Sequence, residues 1–178
     1  MNITLSNSTI SATINSVGAE LSRLEKNNKN YIWTIDETFW NRTSPLLFPI
    51  VGRLKNDVFV FQNKTYSLPR HGFARNFDFK IEHQTKNSVL FSLESNAKTL
   101  AQFPFEFELK IEYTLTGNVL EIKYLVCNIS EITMPFSIGA HPAFAIENSF
   151  EEYSLQFNEV EQLISHQLEN EQFNGSVQ

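Results

Sequence analysis

Between residues 105 and 115 the chain alternates strictly. Phe105, Phe107, Leu109, Ile111, Tyr113 and Leu115 fall on one face, and Glu106, Glu108, Lys110, Glu112 and Thr114 on the other. A period of two puts successive side chains on opposite sides of an extended backbone, so the pattern predicts a half-buried strand. Thr116-Gly117-Asn118 is a turn signal, and Leu120, Ile122, Tyr124 and Val126 then resume the alternation, which predicts a long antiparallel hairpin. Shorter runs of the same kind occur at ITLS, TISATI, AELSRL, KNYIW, DVFVF, FDFKIE, SVLFSLE, MPFSIGA and YSLQF, separated by Asn, Gly, Ser and Lys clusters. Helical spacing is scarce, and only DETFW and SNAKTLAQF read as short helices. Strands at such short, regular intervals predict an all-β fold, a mostly antiparallel sandwich or closed barrel forming one domain over residues 1–178. The last stretch, EVEQLISHQLENEQFNGSVQ, shows no clear closing strand. It predicts a sheet incomplete at its C-terminal end, whose open edge would favour self-association.

Composition strengthens the β reading: sixteen phenylalanines stand beside two methionines and six glycines, and aromatic side chains pack well on a pleated surface. A net charge of -6 and a pI near 5.2 lack the basic footprint that a nucleic-acid or anionic-membrane partner requires. The expected partner is small or neutral. A single cysteine, Cys127, permits no intrachain disulfide and suits a reducing compartment. It sits among apolar neighbours and reads as inert core. The N-terminus lacks the basic and apolar regions of a signal peptide, and no apolar run approaches the length of a bilayer span. The expectation is a soluble, cytoplasmic protein.

Candidate chemistry begins at PLLFPIVGRLKND, residues 45–57, where Arg53 follows a buried-looking strand. Either it pairs with a carboxylate such as Asp57 or caps backbone carbonyls, or it offers a fork of donors at the mouth of a pocket. His71, in LPRHGFARNF, lies between Pro69 and Gly72, hence in a turn. Arg70 and Arg75 beside it hint at an anionic or polyhydroxyl ligand. In MPFSIGAHPAF the alternation sets Ser137, Gly139 and His141 on one face, so small residues lead to an imidazole able to give or take a proton near neutral pH. His83 and His166 have no evident partners and read as structural or exposed. The four histidines show no zinc spacing, and neither a nucleophile elbow nor a phosphate-binding P-loop is present.

Taken in order, RTSPLLFPIVGRLKND, LPRHGFARNFDF, FPFEFELKIEYTL and FSIGAHPAF resemble the aldose 1-epimerase (galactose mutarotase-like) family, in particular its LacX-type bacterial branch. The resemblance runs over nearly the whole chain. It implies a β-supersandwich and interconversion of the α and β anomers of an aldose, with no cofactor and no metal. It implies sugar binding by Arg53, sugar contact near the ring and anomeric oxygens by His71, and a general-acid role for His141. It also implies a glutamate base and a hydroxyl-binding aspartate from the family's C-terminal third. Glu159, Glu161, Glu169 and Glu171 lie too early to match that base. The chain is therefore expected to be a shortened form or a piece of a longer protein, weakly active or inactive alone. HGFAR resembles a string in relatives acting on hexose 6-phosphates, where Arg75 with Arg53 would grip a phosphate dianion; the plainer reading pairs Arg75 with Asp78. A non-catalytic carbohydrate-binding module is the further alternative.

Overall fold

A computed structural model describes residues 1–159, 162, 164–169 and 172–177. The first sheet is an antiparallel meander of β1 (Asn2–Ser6), β2 (Ser11–Asn15), β3 (Glu20–Lys26) and β4 (Lys29–Asn30). Its register sets Ile3 opposite Ile14 and Leu5 opposite Ala12. All four are buried while the residues between them are not, the one-sided burial expected of an antiparallel sheet with a wet face. β5 (Leu46–Leu47) follows, and then a hairpin of β6 (Val58–Phe61) and β7 (Lys64–Ser67). Its two-residue turn places Gln62 and Asn63 at φ 48° and 62°, the left-handed backbone that matches strand twist.

The second sheet is another meander, of β8 (Lys80–Gln84), β9 (Ser88–Glu94), β10 (Phe107–Thr116) and β11 (Val119–Asn128). One helical turn, α1 (Ala97–Leu100), interrupts it. The predicted long hairpin is β10–β11, paired from Phe107 with Asn128 to Thr116 with Val119. Every apolar residue predicted for the inner face, from Phe105 to Leu115, is buried. Burying each such side chain is worth about 1.5–3 kcal/mol. Phe48, fully buried, meets the rings of Phe73, Phe103, Phe107 and Phe136 at centroid distances of 5.2 to 6.4 Å. The Tyr113 hydroxyl donates to the Ala19 carbonyl at 2.7 Å, which ties β10 to the turn before β3. Burial pushes that phenol's pKa well up, so it stays a neutral donor.

Short β12 (Gly139–Ala140) pairs with β5. The backbone forms two compact units, Met1–Ala145 and Ile146–Gln178. Within the second, β13 (His166–Glu169) and β14 (Gln172–Val177) make an antiparallel hairpin in the stretch that the sequence left without a strand. YSLQF, residues 153–157, forms no strand, and of MPFSIGA only Gly139 and Ala140 do. Period-two spacing is a local signal, whereas a strand also needs a neighbouring backbone to bond. DETFW is a turn rather than a helix, with Phe39 and Trp40 N–H groups donating to the Asp36 carbonyl. SNAKTLAQF does form α1, started by a capping box between Asn96 and Thr99. Cys127 stands opposite Glu108 and near Lys110, on the outward face of the hairpin and half-buried, so it is not core.

Candidate functional site

Three devices bring distant residues together. First, β5 pairs with β12, and the His141 N–H donates to the Pro45 carbonyl at 3.2 Å, which fixes His141 at the end of the pair. Second, Gly72 crosses directly over Phe48: a Cβ there would lie 2.2 Å from the Phe48 carbonyl oxygen, and φ is +68°. Only glycine fits. The same carbonyl accepts from the Phe73 and Ala74 N–H groups, so the residue before the glycine, His71, is turned away from the core at φ 67°. Third, Glu20 is buried and accepts from the Thr43 N–H, the Thr43 hydroxyl and the Ser44 N–H at 2.7 to 3.0 Å. It also pairs with Arg42 at 3.3 Å. Arg42 in turn donates to the Arg75 carbonyl and to Asn76 Oδ1, fixing the turn that carries Arg75.

The result is a cavity of about 360 Å³ lined by Trp40, Pro45, Leu47, Arg70, His71, Arg75 and His141. The two imidazoles lie 6.4 Å apart between ring centroids, and the Trp40 indole lies 5.1 Å from the His141 ring. Arg75 donates to the Arg70 carbonyl at 2.9 Å. His71 accepts the Gly52 N–H on Nδ1 at 3.0 Å, while its backbone N–H donates to the Gly52 carbonyl at 2.7 Å. Partial burial first, then Arg70, Arg75 and His141, depress the His71 pKa and favour its neutral ring. Burial and the neighbouring Arg42 and Arg70 lower the Arg75 pKa, which leaves it a cation. Among the described residues, none that lines the cavity carries a carboxylate. The cavity offers fixed donors, positive charge, an aromatic wall and two imidazoles.

The sequence model of the aldose 1-epimerase family matches residues 1–174. This chain belongs to that family. The LacX proteins of Lactococcus lactis subsp. lactis, plasmid and chromosomal, are 38% identical to it over 172 residues. That match takes in 90% of this chain but 58% of theirs, so the chain spans about three fifths of the length of these curated relatives. The crystal structure of a galactose mutarotase related enzyme from Lactobacillus acidophilus superposes with a TM-score of 0.90 at 33% identity, covering 100% of this chain and 62% of that one. A galactose mutarotase-like protein from Lactobacillus casei ATCC 334 gives 0.81 at 41% identity, over 85% and 52% of the two chains. The fold is thus that of the galactose mutarotase-like proteins, all-β and antiparallel in its sheets.

Of the residues expected to serve this family member as its site, His71, His141 and Arg75 share the cavity. Arg53 does not line it. Its guanidinium makes a bidentate pair with Asp57, both bonds 2.8 Å, which raises the arginine pKa and lowers that of the aspartate. It is the backbone of the preceding residue, Gly52, that reaches His71. Arg75 turns to the Arg70 carbonyl instead of Asp78. Gly139 clears no approach to His141: a Cβ there would press on Val51 at 3.0 Å, so its smallness serves packing. His83 is exposed on β8. Glu161 and Glu171 lie outside the described residues. Sequence reading missed Trp40 and the organising Glu20; a tryptophan followed directly by the polar NRTS was the available signal for the first. Among the described residues no group of His, Cys, Asp and Glu could hold a metal, and no helix is long and apolar enough to cross a membrane.

Proposed function

We propose that the cavity is the cationic half of an aldose 1-epimerase site, binding a hexose and working on its anomeric centre. The observation that carries this reading is the meeting of His71 and His141, from separate parts of the chain, at 6.4 Å on one cavity. Its volume of about 360 Å³ lies in the range of small-molecule sites. Mutarotation requires one group to take the anomeric hydroxyl proton and another to protonate the ring oxygen. The bond from C1 to the ring oxygen then opens to an aldehyde, rotation about C1–C2 exposes the other carbonyl face, and reversal closes the opposite anomer. His141 supplies the proton to the ring oxygen, His71 contacts the sugar, and Arg75 holds hydroxyl oxygens.

Family membership implies a carboxylate base, and among the described residues none lines the cavity. Positioned acid–base groups contribute roughly 10² to 10⁴ in rate, so these 178 residues alone bind sugar and turn it over slowly. Polarimetry of freshly dissolved α-glucose and α-galactose, with His141→Asn as control, tests the reading. Equal rates for parent and variant overturn it.

A hexose 6-phosphate substrate is the second reading. It is favoured by Arg70 and Arg75 flanking the same cavity with no acidic partner among its lining. Arg75→Ala should then weaken glucose 6-phosphate binding far more than glucose binding. Equal losses for the two sugars remove the phosphate.

A further inference from the structure

Both ring nitrogens of His71 face a donor. The Gly52 N–H points at Nδ1 from 3.0 Å, and Arg70 Nε stands 3.3 Å from Nε2. A neutral imidazole has one lone pair to offer, so it can accept only one of them. The two donors are not equally free to withdraw. The Gly52 backbone is held on both sides: its carbonyl accepts the His71 N–H at 2.7 Å, and the neighbouring Val51 N–H donates to the Ser137 hydroxyl at 2.9 Å. Arg70 is exposed and its side chain can swing. The fixed donor therefore claims the lone pair, and the ring proton is forced onto the other nitrogen.

We propose that Gly52 is the positioning residue of this site: its amide, presented by left-handed backbone, locks His71 as the Nε2–H tautomer, a hydrogen-bond donor aimed at the sugar. The clamp consists of two reciprocal bonds between one residue at φ +90° and another at φ +67°. It explains the left-handed backbone at His71, which a non-glycine residue adopts only when its surroundings hold it there. It also gives Arg70 a defined part. With the proton on Nε2 that nitrogen has no lone pair for Arg70, so the exposed guanidinium turns aside and leaves the Nε2–H to a sugar oxygen.

Ser137 links the clamp to the second imidazole. Its hydroxyl holds Val51, and its own N–H donates to the Pro49 carbonyl at 2.9 Å, on the segment that runs into β12 and His141. The stretch Pro49 to Gly52 is thus a bonded spacer between the two histidines.

This inference rests on the proposed sugar site for its meaning but not for its test. Nitrogen-15 NMR of the full 178-residue chain above neutral pH, without sugar, should show His71 as a single Nε2–H tautomer, with a trans-hydrogen-bond coupling between the Gly52 nitrogen and Nδ1. A mixture of tautomers, or no such coupling, overturns the clamp whether or not sugars bind. A binding arm uses glucose and glucose 6-phosphate. His71→Asn keeps an oxygen to accept the Gly52 N–H and suits a left-handed position, yet its amide NH2 stops short of the place the Nε2–H reaches. It should fold like the parent and bind about ten-fold more weakly. His71→Gln restores an outward N–H and should recover part of that loss. Parent-like binding by His71→Asn overturns the donor role. Failure of the parent to bind either sugar, with the coupling present, removes the sugar reading and leaves the clamp.

Discussion

The long hairpin β10–β11 and the cationic cavity are built in opposite ways. In the hairpin the ladder of paired residues is unbroken, and along β10 the period of two decides what is buried; its edge partner β11 keeps the register but buries no residue, and Tyr124 is exposed. In the cavity no two adjacent strands supply the chemistry. His71 comes from a left-handed turn, Arg75 from a single 3-10 turn, and Trp40 and His141 from short paired segments beside loops. The hairpin is redundant, since many similar contacts share its energy. The cavity hangs on a few particular ones, so single substitutions there should have sharply unequal effects that do not track side-chain volume.

The largest effect is expected at Gly72. Gly72→Ala drives a methyl into the Phe48 carbonyl and should cost at least as much stability as emptying the hairpin's own core with Phe107→Ala, about 3–5 kcal/mol. Chemical denaturation compares the two; a Gly72→Ala protein of near-parental stability would break the contrast. Next comes Glu20→Ala, which leaves the Thr43 and Ser44 donors and Arg42 without their buried carboxylate. Breaking such a buried pair costs about 3 kcal/mol. It should also loosen Arg75, read as faster amide exchange at residues 74–76. Gly52→Ala is the milder glycine change. Nothing lies within 4 Å of its Cβ, so only the positive φ opposes it, at about 1–2 kcal/mol.

The smallest effect is a slope with pH. The folded pKa of His71 is depressed below its unfolded value, so the unfolded chain binds the proton more readily. Its contribution to stability is fully present above the unfolded histidine range, near 6.5, and is lost as pH falls through the folded value. Denaturation midpoints should therefore decline on acidification, and less steeply in His71→Asn. An identical slope in the two proteins would contradict the depressed pKa.

The same contrast accounts for what the sequence disclosed. Alternation located β1, β2, β9, β10 and β11 because each has a long partner and one wet face. It overreached at YSLQF and at MPFSIGA, where spacing was right and a partner was lacking or brief. Of the site, His71, His141 and Arg75 were legible from glycine and proline punctuation and from family resemblance. For Arg53 the sequence left open a pair with Asp57 or a fork at the pocket, and the aspartate four residues on takes its guanidinium. Glu20 was not legible. Glu20 lies at the start of a strand and meets its partners Arg42, Thr43 and Ser44 only through tertiary folding.

The central claim is that His71 and His141 face one sugar-sized space. Its most direct test is a titration of the histidine-labelled protein with galactose, glucose and glucose 6-phosphate, following each imidazole by nitrogen-15 NMR. The signals of His71 and His141 should move together along one binding curve, while His83, exposed on β8, stays still. Movement of one imidazole without the other, or of neither with any of the three sugars, would contradict a shared cavity.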